Sequence, residues 1–176
     1  IDAHYDTYDN LPGADDNSSG VAGLIELARI YARNLPLCDV QLVAYTSEEP
    51  PYFRSEYMGS YIHAKSLSEK NVKVELMLSL EMIGYFSDEP ESQKYPVWGM
   101  KYLYSDAGNF ISLVGNLSQV GIIRFLKKEM RKSSTLPVYS INAPTWVQGI
   151  DFSDHMNYWN FDFPAVMITD TAFNRN

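Results

Sequence analysis

The sequence predicts an α/β domain in which helices pack around a mostly parallel β-sheet. Short apolar segments alternate along the chain with segments whose apolar residues recur at helical spacing. A chain of 176 residues with 45% hydrophobic residues is large enough for one domain with a substantial core. The sequence contains no repeat, low-complexity segment or linker, which favours one domain over several.

The first half of the chain contains two predicted helices, each following a strand. The chain opens as if within a strand, and residues 17–34 form the first helix, with a polar cap at the start and Pro36 beyond the end. Residues 39–46 and 72–83 are short apolar runs of the kind found in buried strands. The second helix, residues 55–68, lies between them.

The second half of the chain continues the alternation. Residues 110–114 are predicted to form a strand, with an early helical turn as the alternative. Residues 117–132 form an amphipathic helix whose basic C-terminal part suits the helix dipole. Strands at 138–143 and 165–169 flank a helix at 153–160. Because binding sites in such sheets lie beyond the carboxyl ends of the strands, the residues that follow the strands are the site candidates.

Composition excludes two classes of function. The net charge of −8 argues against a nucleic-acid-binding protein, which would normally present a basic face. No run reaches the roughly 20 apolar residues that a bilayer-spanning helix requires. The single cysteine, Cys38, cannot form an intramolecular disulfide. The chain starts with Ile1 and shows no signal-peptide pattern, so we expect it to be truncated at its N-terminus.

Four polar clusters stand at or near predicted strand ends. Each cluster alone has a structural explanation, because aspartates and serines before a helix act as caps and paired glutamates in a turn are usually solvated. Together, imidazole and carboxylate groups at one edge of a sheet suit zinc. A lone carboxylate in an apolar strand needs a partner or a metal. The clusters are His4-Tyr5-Asp6, residues 13–20, Glu48-Glu49 and Glu81. Within the first cluster, Asp6 could accept the second imidazole N–H of His4 and fix its tautomer.

Five segments, in this order and spacing, resemble one family of zinc exopeptidases: AHYDT, GADDNSSGV, TSEEP, SLEMIGY and SDHMNYWNFDFPAVMITDT. The family includes bacterial leucyl-type aminopeptidases, glutamate carboxypeptidase and glutaminyl cyclase. The resemblance covers nearly the whole chain. It implies a single catalytic domain over residues 1–176, truncated at both ends. It also implies a mixed, mostly parallel sheet sandwiched between helices, as in phosphorylase/hydrolase-like three-layer folds.

The resemblance also implies a site with two zinc ions, for which cobalt or manganese are the alternatives. His4 and Glu81 would bind the first ion, Asp16 would bridge both ions, and Glu49 would bind the second. Glu48 would be the general base that takes a proton from the nucleophilic water and returns it to the leaving amine. The expected activity is hydrolysis of the N-terminal residue of a peptide substrate.

Two departures from the family pattern affect the expected site. Glu81 stands where the family commonly has aspartate, a shorter ligand of the same chemistry. The last metal ligand of the family is a histidine just beyond the segment that matches residues 170–176, so we expect the second metal to lack this ligand here. His155 is the candidate substitute, but in the family pattern it opens a helix, so a structural or supporting role is expected. His63 has no acidic partner at ligand spacing and is expected to be structural or exposed. The resemblance further implies a cis peptide bond between Asp16 and Asn17.

The sequence is also compatible with other functions. One is a glutaminyl cyclase-like enzyme with a single zinc ion. Another is a family member or fragment that has no catalytic activity and acts as a binding domain. The resemblance also implies a secreted or periplasmic location, because members of the family are frequently exported. The sequence indicates neither the preferred substrate side chain nor an oligomeric state.

Overall fold

A computed structural model describes residues 1–95 and 98–175 and contains one six-stranded sheet. The strand order across the sheet is β2-β1-β3-β6-β4-β5. β4 pairs with β6 in antiparallel fashion, and the other four neighbouring pairs are parallel. The predicted mixed, mostly parallel sheet is therefore confirmed. The strands are β1 (Asp2–His4), β2 (Val43–Tyr45), β3 (Met77–Glu81), β4 (Ile111–Gly115), β5 (Val138–Asn142) and β6 (Ala165–Thr169).

Helices cover both faces of the sheet, as a three-layer fold requires. The helices are α1 (Ser18–Tyr31), α2 (Gly59–Glu69), α3 (Val120–Ser133) and α4 (His155–Trp159). α1 and α3 lie on one face, where Leu24 and Ile123 pack against side chains that include Leu80 and Val166. α2 and α4 lie on the other face and pack around Met77. Successive residues of a strand point to opposite faces, so one strand contributes to both cores.

The predicted strands and helices are all present, but several are shorter than expected. β2 occupies only Val43–Tyr45 of the predicted residues 39–46, because its neighbour β1 offers partners to those three residues alone. α2 begins at Gly59 rather than residue 55, because residues 50–58 form turns in which Arg54 has a φ of 63°. Residues 110–114 form a strand rather than a helical turn, since Ile111–Gly115 pair in register with β5.

A cavity of about 350 Å³ lies on the face of the sheet that carries α2 and α4. Its floor is formed by side chains of β4, β5 and β6, among them Val114 and Met167. Its walls come from residues 82–95 and 100–110 of the connection between β3 and β4, from residues 147–152, and from residues 171–174. At one end the cavity reaches Glu81 at the carboxyl end of β3 and the Glu48-Glu49 turn after β2. Among the helices of the described residues, none is long and apolar enough to cross a membrane.

Candidate metal centre

His4 and Glu81 are the last residues of the adjacent parallel strands β1 and β3. Both side chains are buried and lie on the same face of the sheet. His4 Nε2 lies 3.4 Å from Glu81 Oε2 and 3.2 Å from Asp16 Oδ1, which the loop before α1 supplies. In the described part of the chain, these three residues can bring ligand atoms within 4.8 Å of one another. The structure therefore brings together three of the four predicted metal ligands.

The remaining edge of the imidazole of His4 faces Asp6. Nδ1 lies 3.1 Å from the backbone carbonyl oxygen of Asp6 and 3.6 Å from its carboxylate Oδ1. The same carboxylate accepts the backbone N–H groups of Glu48 and Glu49, at 3.3 and 3.1 Å. Asp6 thus connects His4 to the Glu48-Glu49 turn. Because Asp6 lies close to Nδ1 of His4, it favours the tautomer of His4 that carries the proton on Nδ1.

Nε2 of His4 faces carboxylate oxygens from three residues. With the proton on Nδ1, the Nε2 lone pair points towards carboxylate oxygens of Asp16, Glu81 and, at 3.9 Å, Glu48. Among the described residues, neither Nε2 nor the buried Asp16 Oδ1 has a hydrogen-bond partner of good geometry. Lone pairs that face one another in a buried site repel unless a proton or a metal ion lies between them. The imidazole and carboxylate donors match the ligands that zinc prefers.

The electrostatics of the protein without metal agree with this picture. Burial alone would lower the pKa of His4, but the nearby carboxylates of Asp16, Asp6 and Glu81 raise the pKa well above its usual value. Burial raises the pKa of Glu48, and the charge of Glu81 raises it further. Burial is also the main cause of the raised pKa of Glu81. The centre therefore holds excess negative charge that a proton or a metal ion must neutralise.

Glu48 and Glu49 occupy different places although they are neighbours in the chain. Glu48 is buried, with Oε2 3.9 Å from His4 Nε2. Glu49 is half-buried, lines the same cavity and lies outside the converging group of His4, Asp16 and Glu81. Burial and the charge of Asp16 raise the pKa of Glu49 to about 7. The fourth predicted ligand is thus near the centre, but its carboxylate does not join the other three.

Asn17 holds the loop of Asp16 against the end of β3. Its side-chain oxygen accepts the N–H groups of Gly20 and Met82, at 3.3 and 3.0 Å, and its amide donates to the carbonyl of Leu80 at 2.8 Å. The first of these contacts caps α1. The Asp16–Asn17 peptide bond is cis, as the resemblance implied. Asn17 therefore places Asp16 beside Glu81 while it starts the helix.

The sequence alone did not identify a layer of buried polar side chains beneath the centre. The hydroxyl of Ser153 donates to Glu81 Oε2 at 2.8 Å and lies 3.1 Å from the hydroxyl of Ser79. Asp154 accepts a hydrogen bond from Ser60, and burial raises the pKa of Asp154 to about 7. One signal was available, because Ser79 and Glu81 alternate with apolar residues along β3 and so mark one polar face.

The other two histidines lie away from the centre. His155 is fully buried at the start of α4, where Nε2 donates to the carbonyl of Ile150 at 2.8 Å and the ring packs edge-on against Trp159. Burial lowers the pKa of His155 to about 4. His155 is not part of the converging group, so these contacts give it a structural setting. His63 lies in α2, with Nδ1 2.6 Å from the hydroxyl of Tyr45.

Comparison with known proteins identifies relatives of this chain. The sequence model of Peptidase family M28 matches residues 1–176. The uncharacterized protein YfbL of Escherichia coli K12 is 55% identical over 184 residues, which cover 100% of this chain and 56% of YfbL. Aminopeptidase YwaD of Bacillus subtilis is 33% identical over 85 residues, or 48% of this chain and 18% of YwaD. The chain thus spans little more than half the length of YfbL.

Solved structures share the fold. The LapA aminopeptidase of Legionella pneumophila aligns with a TM-score of 0.69 and 20% identity, over 99% of this chain and 41% of LapA. BSAP, a zinc aminopeptidase from Bacillus subtilis, aligns with a TM-score of 0.67 and 20% identity, over 99% of this chain and 37% of BSAP. At these identities the likeness establishes the α/β fold.

Proposed function

The chain belongs to peptidase family M28, and from this premise we propose that it forms the catalytic core of a zinc-dependent aminopeptidase. The observation that carries the proposal is the convergence of His4, Asp16 and Glu81 on one point at the carboxyl ends of β1 and β3. The buried Nε2 of His4 faces carboxylate oxygens there without a hydrogen-bond partner of good geometry. YwaD is an aminopeptidase and BSAP is a zinc aminopeptidase, and their names support the same activity.

The proposed ligand sets follow from the positions of the side chains. His4, Glu81 and Asp16 would hold one zinc ion. Glu49 would contribute to a second ion, since it lies near Asp16 and outside the first group. When bound, zinc supplies a Lewis acid that polarises a peptide carbonyl and lowers the pKa of water. Ser153 and Asp6 orient Glu81 and His4 for this role through their hydrogen bonds.

Glu48 is the residue that we propose moves the proton. Its carboxylate lies at the edge of the converging group and lines the cavity in which a substrate would lie. The N–H bonds to Asp6 hold the turn that carries it. In the reaction Glu48 takes a proton from the attacking water. It then gives this proton to the nitrogen of the leaving amine as the peptide bond breaks.

The cavity and the acidic surroundings suit the N-terminal end of a peptide. The walls are mainly aromatic and aliphatic, which suits an apolar side chain. The proposed metal ligands Asp16, Glu49 and Glu81 line one end of the cavity together with Glu48, and carboxylates there can hold a substrate ammonium group. We therefore propose that the free amino terminus binds beside the metal centre and the first side chain extends into the cavity.

The test is a Glu48→Gln variant of the full-length protein, loaded with zinc and assayed with aminoacyl p-nitroanilides. Loss of a proton-transfer group should lower kcat by about 100- to 10,000-fold, while the zinc content measured by mass spectrometry stays unchanged. Glu26→Gln, on the exposed side of α1, is the matched control and should retain full activity. Turnover near the wild-type rate in Glu48→Gln would remove Glu48 from the mechanism. Release of ammonia from an N-terminal glutaminyl peptide, without peptide hydrolysis, would instead indicate a cyclase.

A further inference from the structure

Arg175 is a buried arginine whose guanidinium donates hydrogen bonds to three separate points of one connection. Nε and Nη2 donate to the side-chain oxygen of Gln93, at 3.1 and 3.0 Å. Nη1 donates to the carbonyl of Tyr85 at 3.0 Å, and Nη2 donates to the carbonyl of Phe110 at 3.1 Å. Tyr85 lies near the start of the connection between β3 and β4, Gln93 lies in its middle, and Phe110 lies at its end. Neutral acceptors thus satisfy the donors of the buried cation and hold this connection together.

Gln93 extends the same network to the segment after β6. Its amide donates to the hydroxyl of Thr171 at 2.9 Å, and the adjacent N–H of Lys94 donates to the carbonyl of Asn174 at 2.7 Å. Gly108 packs directly on the arginine, since a Cβ at this position would lie 2.8 Å from Arg175 Nε. Arg175 and Gln93 are therefore the centre of a buried network, which we call the Arg175–Gln93 clamp.

The clamp supports a row of aromatic rings that lines the cavity. The guanidinium carbon of Arg175 lies 4.7 Å from the ring centroid of Phe110. From Phe110 the row continues through neighbouring ring contacts to Tyr139 at 4.7 Å, Tyr104 at 5.4 Å and Tyr95 at 5.8 Å. All four rings line the cavity, whereas Arg175 itself does not. We call these four rings the aromatic wall.

We propose that Arg175 is a positioning residue that fixes the aromatic wall and the cavity-lining Gln93, and so sets how large an apolar side chain the cavity accepts. Arg175 does not act on the reacting atoms. The substrate part of this proposal rests on the proposed aminopeptidase function, because it takes the cavity as the binding site of the first side chain. The structural part does not, because the clamp holds the connection between β3 and β4 whatever molecule binds in the cavity.

The first experiment compares Arg175→Lys with the wild-type full-length protein on phenylalanyl and alanyl p-nitroanilides. Lysine keeps the charge but has a single donor group, which cannot reach three separated oxygens at once. We expect kcat/KM for the phenylalanyl substrate to fall about tenfold, mainly through KM, while the value for the alanyl substrate changes less than about twofold. Arg29→Lys, an exposed arginine on α1, is the control and should change neither value. A parallel loss for both substrates would mean a general structural role and would overturn the proposal.

Hydrogen exchange gives a second readout that does not depend on activity. The N–H groups of Ser87, Gln93 and Lys94 donate to backbone carbonyls within the network. In Arg175→Lys, peptides covering residues 85–95 and 104–110 should exchange faster, while peptides from β1 and β3 should not change. Unchanged exchange in the first two peptides would refute the clamp. If no variant hydrolyses any aminoacyl substrate, the proposed function fails, and the exchange result still decides whether the clamp exists.

Discussion

Replacing His155 by glutamine removes a buried imidazole that the folded protein holds in its neutral form. Nε2 of His155 donates to the carbonyl of Ile150, and the ring packs against Trp159 without exposure to solvent. Burial lowers the pKa of His155 from 6.5 to about 4. Glutamine can donate a hydrogen bond to the same carbonyl but has no charge to gain. Comparing the variant with the wild type therefore isolates the effect of protonating His155 on the free energy of unfolding.

The sign and size of the effect follow from the two pKa values. The unfolded chain binds a proton at His155 as the pH falls through 6.5, whereas the folded protein does so only near pH 4. Acid therefore favours the unfolded state, and the stabilisation present above pH 6.5 is lost progressively down to pH 4. The full loss is about 3 kcal/mol, of which about 2 kcal/mol falls between pH 7 and pH 5.

Urea unfolding of the wild-type and His155→Gln proteins at pH 7, 6 and 5 measures this directly. Both proteins contain the same acidic centre, so its titration cancels in the comparison of their pH dependences. We expect the unfolding free energy of the wild type to fall by about 2 kcal/mol more than that of the variant between pH 7 and pH 5. If the unfolding free energies of both proteins depended equally on pH, His155 would take up its proton as easily in the folded state as in the unfolded state. That result would contradict the depressed pKa of His155.

Other predictions concern the metal centre, the core and the loop of Asp16. Zinc binding at pH 7 should release protons and should tighten as the pH rises, because the pKa of His4 is raised and that of Glu49 is about 7. Titration calorimetry of zinc binding in buffers of different ionisation enthalpy measures the number of protons released. Leu113→Ala should cost about 3 kcal/mol in urea unfolding, since Leu113 is fully buried. Asn17→Ala should cost about 2 kcal/mol by loss of its buried hydrogen bonds, while the exposed Asn10→Ala should cost almost nothing.

The fold was largely predictable because its elements have strong local patterns. The apolar run before Glu81 and the helical spacing of residues in α1 predict the alternation of strand and helix directly. The element ends were less predictable, because a strand ends where its neighbour stops offering partners. β2 illustrates this, since residues 39–42 have no regular secondary structure and lie outside the ladder with β1.

The sequence predicted the site residues that end a strand. It predicted less well the residues whose positions depend on tertiary contacts. His4 and Glu81 end neighbouring parallel strands, so their meeting follows from the topology. Which of two adjacent glutamates faces His4 depends on the turn after β2, where Ser47 has a φ of 62°. The hydrogen bond from Ser153 to Glu81 joins residues that are 72 positions apart in the chain, so no local sequence pattern indicates it.

Anomalous diffraction at the zinc edge, from crystals of this protein soaked in zinc, tests the central claim most directly. We predict a peak about 2.0–2.2 Å from His4 Nε2 and from carboxylate oxygens of Asp16 and Glu81, and a second peak shared by Asp16 and Glu49. No peak at His4, Asp16 and Glu81, or zinc bound only elsewhere, would contradict the assignment of this centre as a zinc site.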